Sequence, residues 1–178
     1  MNLILIGLRG SGKTTVGRIV ADALGHDFWD LDELTASLLG KGSVADAWRA
    51  HGEEAFRQKE AQGLYRMLGE GLSREVIATG GGAPTAPGVA KLLKQECAAG
   101  RAKVIYLSAK AQTLRQRLEK TDLSARPSLT GASPLDEIDE VLARRDPLYR
   151  ALASVVIYTD GKTEQEVANE VLTEVPRG

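Results

Sequence analysis

The apolar run Leu3–Ile6 followed by GLRGSGKT, residues 7–14, constrains this chain more than any other stretch. Four uninterrupted apolar residues suit a strand buried on both faces, the pattern of a parallel sheet. The next eight residues match G-x-x-x-x-G-K-[ST]. They open a segment with apolar positions at Val16, Ile19, Val20, Ala23 and Leu24, a helical spacing closed by Gly25. Strand, glycine loop and helix in that order make a phosphate cradle. Gly10 and Gly12 let the loop's N–H groups, that of Ser11 included, wrap an anion, and the helix N-terminus adds its positive dipole end. Lys13 reaches the β- and γ-phosphates, the Thr14 hydroxyl ligates Mg²⁺, and Thr15 continues the nucleotide-binding run. ATP or GTP is the expected ligand. A GTPase would also need an Asn-Lys-x-Asp element, and neither Asn2 nor Asn169 begins one.

The rest of the chain alternates. Phe28–Leu31, Val76–Thr79, Val104–Leu107 and Val155–Tyr158 read as further strands. Residues 32–39, 44–50, 53–70, 87–98, 110–120, 135–151 and 163–174 read as helices. This predicts an α/β fold with a five-stranded, mainly parallel sheet covered on both faces, and a ligand site outside the carboxyl ends of its strands. Residues 121–134, TDLSARPSLTGASP, read as a loop. A length of 178 residues suits one domain. Cys97, the lone cysteine, cannot form an internal disulfide, and its place on a helix suggests packing only. With no signal peptide or membrane span in the sequence, the expected location is cytoplasmic. A net charge of −1 and only eight aromatic residues argue against nucleic-acid partners. No long apolar heptad suggests an obligate dimer, so a monomer is expected.

Three further sets of residues point to chemistry. FWDLDE puts Asp30 and Asp32 at a strand end, where residues i and i+2 face one way. The pair suits Mg²⁺ held through water and a substrate hydroxyl; the plainer reading makes Asp32 the N-cap of the next helix. Arginines recur in GEEAFRQKE (Arg57), in the loop ARPSLTG (Arg126) and at a helix end in ARRDPLY (Arg144, Arg145). Guanidinium forks bind carboxylates bidentately, and a loop carrying arginine over a phosphate site can exclude water. Glu53 and Glu60 stand at ion-pairing distance from Arg57 along a helix and are expected to orient it. VIATGGGAP sets Gly80, Gly81 and Gly82 after a strand, a second place where backbone must approach something closely. His26 and His51 sit near helix ends without companion ligands.

Taken in order, G-L-R-G-S-G-K-T, D-L-D, G-E-E-A-F-R, T-G-G-G, A-R-P-S-L-T-G and R-R-D-P-L-Y resemble the shikimate kinase family, among the P-loop small-molecule kinases of the nucleoside monophosphate kinase-like group, over about residues 3–158. The resemblance implies a three-layer α/β/α kinase domain with a helical acceptor-binding segment, about 32–60, and a mobile lid, about 121–134. It implies ATP and Mg²⁺ as cofactors, shikimate as the small-molecule partner, and phosphorylation of the 3-hydroxyl on the route to chorismate and the aromatic amino acids. By that resemblance Lys13 and Thr14 serve phosphate and metal, and Asp30 supports Mg²⁺ through water. Asp32 binds ring hydroxyls as base or as orienting acceptor. Arg57 and Arg145 hold the substrate carboxylate, Gly80–Gly82 lie against the ring, Arg126 contacts the phosphates, and Arg117 lies over the adenine. Val44, Trp48 and Phe56 form the apolar wall. The chain has Trp48 where the family often has Phe, and R-P-S-L where it often has R-P-L-L. Two other readings remain: the same fold acting on gluconate, another sugar acid or a nucleoside monophosphate, and a nucleotide switch without transfer chemistry.

Overall fold

The structure, a computed structural model, describes residues 1–69, 71, 73–120 and 135–175. Its centre is a sheet of five parallel strands in the order β2-β3-β1-β4-β5. These are β1 (Asn2–Ile6), β2 (Asp27–Asp30), β3 (Glu75–Ala78), β4 (Ala102–Ser108) and β5 (Val155–Tyr158). β1 lies in the middle and every one of its residues is buried, which is why it reads as an unbroken apolar run. Alternation along the strand divides the work. Leu3 and Leu5 join Val16, Val20 and Ala21 of α1 (Lys13–Leu24) and Val167, Ala168 and Val171 of α7 (Glu164–Thr173). Ile4 and Ile6 face the other layer. That layer is built from the end of α3 (Val44–Gly69), α4 (Val89–Ala98), α5 (Ala111–Glu119) and α6 (Ile138–Leu152).

Register brings the candidate motifs to one edge. Asp30 pairs with Ala78, and Ala78 with Leu5, so β2, β3 and β1 end side by side. The phosphate loop, the aspartates and the glycine triplet leave from those three ends. Thr79 fastens the triplet to β1, its N–H and its hydroxyl both donating to the Leu5 carbonyl at 3.0 Å.

The segment expected to bind the acceptor, about 32–60, falls on α2 (Leu31–Leu38) and on α3 as far as Glu60. The sequence reading has separate helices over 44–50 and 53–70. The structure has the same two helical arms, which meet within α3 at a sharp kink where Gly52 leaves helical geometry, φ 78° and ψ 173°. That backbone region is essentially reserved for glycine. The bend folds the first arm back, so that Ala47 and Trp48 meet Phe56 and Ala36 in a small apolar cluster of their own. Helix α6 runs on to Leu152 through Pro147, close to the expected 135–151, but Arg145, expected at a helix end, lies in its middle. Ile138, Val141, Tyr149 and Leu152 all pack into the core, and that packing outweighs the lost proline N–H. The predicted lid, 121–134, and Arg126 within it lie outside the described residues. Among the described residues no helix is long and apolar enough to cross a membrane.

Candidate active site

The phosphate loop runs from Gly7 to Thr14. Gly10 and Gly12 have φ of 82° and 92°, conformations that a side chain would strain. Gly12 is the N-cap of α1 and brings no side chain to its first-turn N–H groups, nor does the first turn hold an acidic residue. The helix end is therefore open to an anion. Ser11 is buried, and its N–H closes the loop onto the Leu8 carbonyl at 3.2 Å. Lys13 is also buried; its Nζ donates to the Leu8 carbonyl at 2.9 Å, along the rim of the loop. Thr15 stands exposed on the first turn.

The Thr14 hydroxyl donates to Asp30 Oδ2 at 2.7 Å, while Asp30 Oδ1 accepts from the N–H groups of Asp32 and Glu33 at 3.0 and 3.4 Å. One carboxylate thus caps α2 and orients the loop threonine. This corrects the sequence reading twice. The strand stops at Asp30, so Asp32 begins a helix and does not share a strand face with it, and the cap is Asp30, not Asp32. A helical step turns the two carboxylates apart: Asp30 faces Thr14, and Asp32 faces the glycine triplet and a cavity beyond it.

Arg57, Arg145, Asp32, Trp48 and Phe56 line that one cavity together with Gly81 and Gly82. Val44 completes its apolar wall. The Trp48 and Phe56 rings meet at 5.4 Å. The Arg57 guanidinium stands 5.1 Å from the first ring centroid and 5.8 Å from the second, within cation–π range. Its NH1 donates to Glu60 Oε2 at 2.7 Å, and Glu53 lies farther off at 3.7 Å. Glu60 is wholly buried, and its Oε1 accepts no hydrogen bond among the described residues. Burial pushes the Glu60 carboxyl up to about 7 against the pull of Arg57, and neighbouring Asp32 adds to the rise.

The glycine triplet explains how these groups fit. A Cβ on Gly80 would overlap Asp32 Oδ1 and Glu60 Oε1, and a Cβ on Gly82 would overlap the Arg57 guanidinium. Above Gly81 the nearest atom is the Arg9 backbone nitrogen at 3.4 Å. The close approach at positions 80 and 82 is thus made by the protein's own charged side chains. None of the three glycines has a positive φ, so space and not backbone conformation requires them. Arg145 is buried to 5% exposure, whereas Arg144 is exposed.

Arg117 lies on the far side of the phosphate loop. Its guanidinium donates to the Thr159 carbonyl at 2.7 Å and hydroxyl at 2.9 Å, and to the Gly10 carbonyl at 3.4 Å. Thr159 has no signal in the sequence, because it meets Arg117 only through the fold. Tyr149, whose hydroxyl donates to the Gly81 carbonyl, had one: it follows Arg145 by four residues on a helix. Glu137, buried and lining the cavity, stands beyond the loop in sequence and was equally unmarked.

Comparison with known proteins gives this arrangement its family. The shikimate kinase family model matches residues 9–176. A shikimate kinase of Symbiobacterium thermophilum is 40% identical over 172 residues, 97% of this chain and 94% of the relative. That of Moorella thermoacetica is 41% identical over 170 residues, covering 96% and 91%. The solved structure of shikimate kinase from Acinetobacter baumannii in complex with shikimate superposes with a TM-score of 0.85 at 33% identity, covering 97% of this chain and 91% of that one. On a family match and relatives that span nearly its whole length, this chain belongs to the shikimate kinase family.

Proposed function

We propose that the protein transfers the γ-phosphoryl group of MgATP to the 3-hydroxyl of shikimate, giving shikimate 3-phosphate and ADP on the route to chorismate and the aromatic amino acids. The observation that carries this reading is one cavity beside the phosphate loop that, with Arg9 and Glu137 also in its lining, gathers Arg57, Arg145 and Asp32. Shikimate is a carboxylic acid with ring hydroxyls, and those groups match its two ends. Arg57 and Arg145 hold the carboxylate. Trp48 and Phe56 cover the ring, and the backbone of Gly80, Gly81 and Gly82 borders it. Asp32 accepts a hydrogen bond from the reacting hydroxyl and takes its proton as the bond to phosphorus forms. In a loose phosphoryl-transfer transition state, orientation matters more than base strength. The N–H groups of Gly10 and Gly12, with Ser11, Lys13, Thr14 and Thr15, receive the phosphates. Arg117 backs the adenine, and Arg126 reaches over the phosphates.

The donor set fits Mg²⁺. It takes hard oxygen ligands and keeps several waters, and Thr14 Oγ1 and Asp30 Oδ2, 2.7 Å apart beside the phosphate loop, would hold it. Its chemistry there would be neutralisation of charge on the transferring phosphate. The reading takes the chain to be a cytoplasmic monomer acting on a small molecule, without nucleic-acid or membrane partners; the net charge of −1 argues against a nucleic-acid partner.

The test is ADP release from MgATP with shikimate, compared with gluconate, quinate, AMP and CMP at equal concentration. Turnover with shikimate alone is expected. Turnover with another acceptor overturns the assignment of shikimate and keeps the kinase. ATP binding without acceptor-dependent turnover points to a nucleotide switch. In the same assay Asp32→Asn abolishes turnover while ATP still binds.

A further inference from the structure

Tyr149 stands one helical turn after Arg145 on α6, so the two side chains share a face. Its ring is fully buried and meets that of Tyr106 at 5.1 Å. Its hydroxyl donates to the Gly81 carbonyl, in the turn that lines the acceptor cavity. The Arg145 guanidinium lies beside that hydroxyl, close enough to oppose the effect of burial on it. Arg145 NH1 also comes within 3.8 Å of the point above Gly81 that a Cβ would occupy. Three groups thus meet at one place: the arginine assigned to the acceptor carboxylate, the tyrosine hydroxyl, and a cavity-lining carbonyl. Burial pushes the hydroxyl up to about 12, so it keeps its proton at neutral pH and stays a donor.

We propose that Tyr149 is a positioning residue for the acceptor: its hydroxyl satisfies the Gly81 carbonyl and so leaves Arg145 turned toward the cavity. The Gly81 carbonyl, in a part-buried turn at the cavity's edge, takes a donor within reach. With the phenol in place that donor is Tyr149. Without it, Arg145, whose NH1 lies close to Gly81, is drawn onto the turn, away from the substrate. The inference rests on the assignment of Arg145 to the carboxylate.

Steady-state kinetics of the full chain with MgATP and shikimate test it. Loss of uniform binding raises KM without changing kcat, so Tyr149→Phe is expected to raise the acceptor KM about five- to tenfold, with kcat and the KM for ATP within about twofold. Tyr106→Phe is the control. It removes a hydroxyl that donates to Asp146 at 2.8 Å, on the same ring pair but away from Gly81, and should lower Tm without moving the acceptor KM. If Arg145→Ala leaves the acceptor KM unchanged, the assignment of Arg145 fails. If Arg145→Ala raises it and folded Tyr149→Phe does not, the inference alone is overturned. An effect of Tyr149→Phe that is just as large in the Arg145→Ala background also overturns it, because the hydroxyl then does not act through Arg145. Should Tyr149→Phe fail to fold, 4-fluorophenylalanine incorporated in place of Tyr149 fills the phenol's volume and carries the same expectations.

Discussion

Gly80, Gly81 and Gly82 are consecutive, yet each meets a different neighbour. A methyl group at 82 runs into a guanidinium, and one at 80 into two carboxylates; one at 81 only touches a backbone nitrogen at 3.4 Å. Gly82→Ala should therefore displace Arg57 and lower kcat/KM for shikimate by at least about tenfold, a loss of about 1.4 kcal/mol, while Gly81→Ala is the mildest of the three. Kinetics of the three alanine variants, with circular dichroism to confirm folding, decide this; equal effects at all three positions would sink it. Glu60 gives a second residue-scale expectation. Its carboxyl is raised from 4.5 to about 7 by burial, with Arg57 on its own helix, Asp32 on α2 and Arg145 on α6 acting on it. A carboxyl raised on folding stabilises fully below its ordinary value and loses that contribution as pH climbs through the folded one. The Tm of the wild type should thus fall relative to Glu60→Gln between about pH 4.5 and 7. Parallel Tm curves for the two proteins would refute this.

At the scale of elements, the bend in α3 is the part with most at stake. Gly52 appears in the sequence as a break between two helices, and the break is real. One helix ends there and a second begins, and the turn between them closes Trp48 onto Phe56. Gly52→Ala forces a side chain into a glycine-only region at a cost of about 1–3 kcal/mol. It is expected to lower Tm and raise the acceptor KM, with ATP binding kept; differential scanning fluorimetry and substrate titrations measure both. The aspartate pair shows why local reading stops short. Alternation along a strand puts residues 30 and 32 on one face only if the strand continues. Asp30 ends it by accepting two helix N–H groups, and whether it can do so depends on where Thr14, sixteen residues earlier, holds its other oxygen. Helix α6 is the contrary case: the sequence reading already carries it through Pro147, and the core contacts of Tyr149 and Leu152 hold it past the proline.

For the whole molecule, strand order brings three loops from distant parts of the sequence to one edge, and ligands that fill them should stabilise the fold. At one hundred times Kd a ligand adds about 2.7 kcal/mol. Shikimate and MgADP are each expected to raise Tm, and Arg145→Ala should abolish the shikimate shift while leaving the nucleotide shift. Loss of both shifts would mean that the variant damages the fold and not one subsite. The five strands, the phosphate loop, the family and the charged residues Asp32, Arg57 and Arg145 that the fold brings to one cavity were legible in the sequence alone. Buried parallel strands and the loop each have a local pattern, set by the solvent they avoid and the anion they wrap. Only the tertiary structure decided what those residues do to one another: that Asp30 turns to Thr14 and Asp32 to the glycine triplet, that Gly80 and Gly82 make room for charges, that Arg117 meets Thr159 and that Tyr149 meets Gly81. These are contacts between segments far apart in the chain. They are fixed by packing and by the need of buried polar groups for partners, neither of which leaves a periodic trace in the sequence.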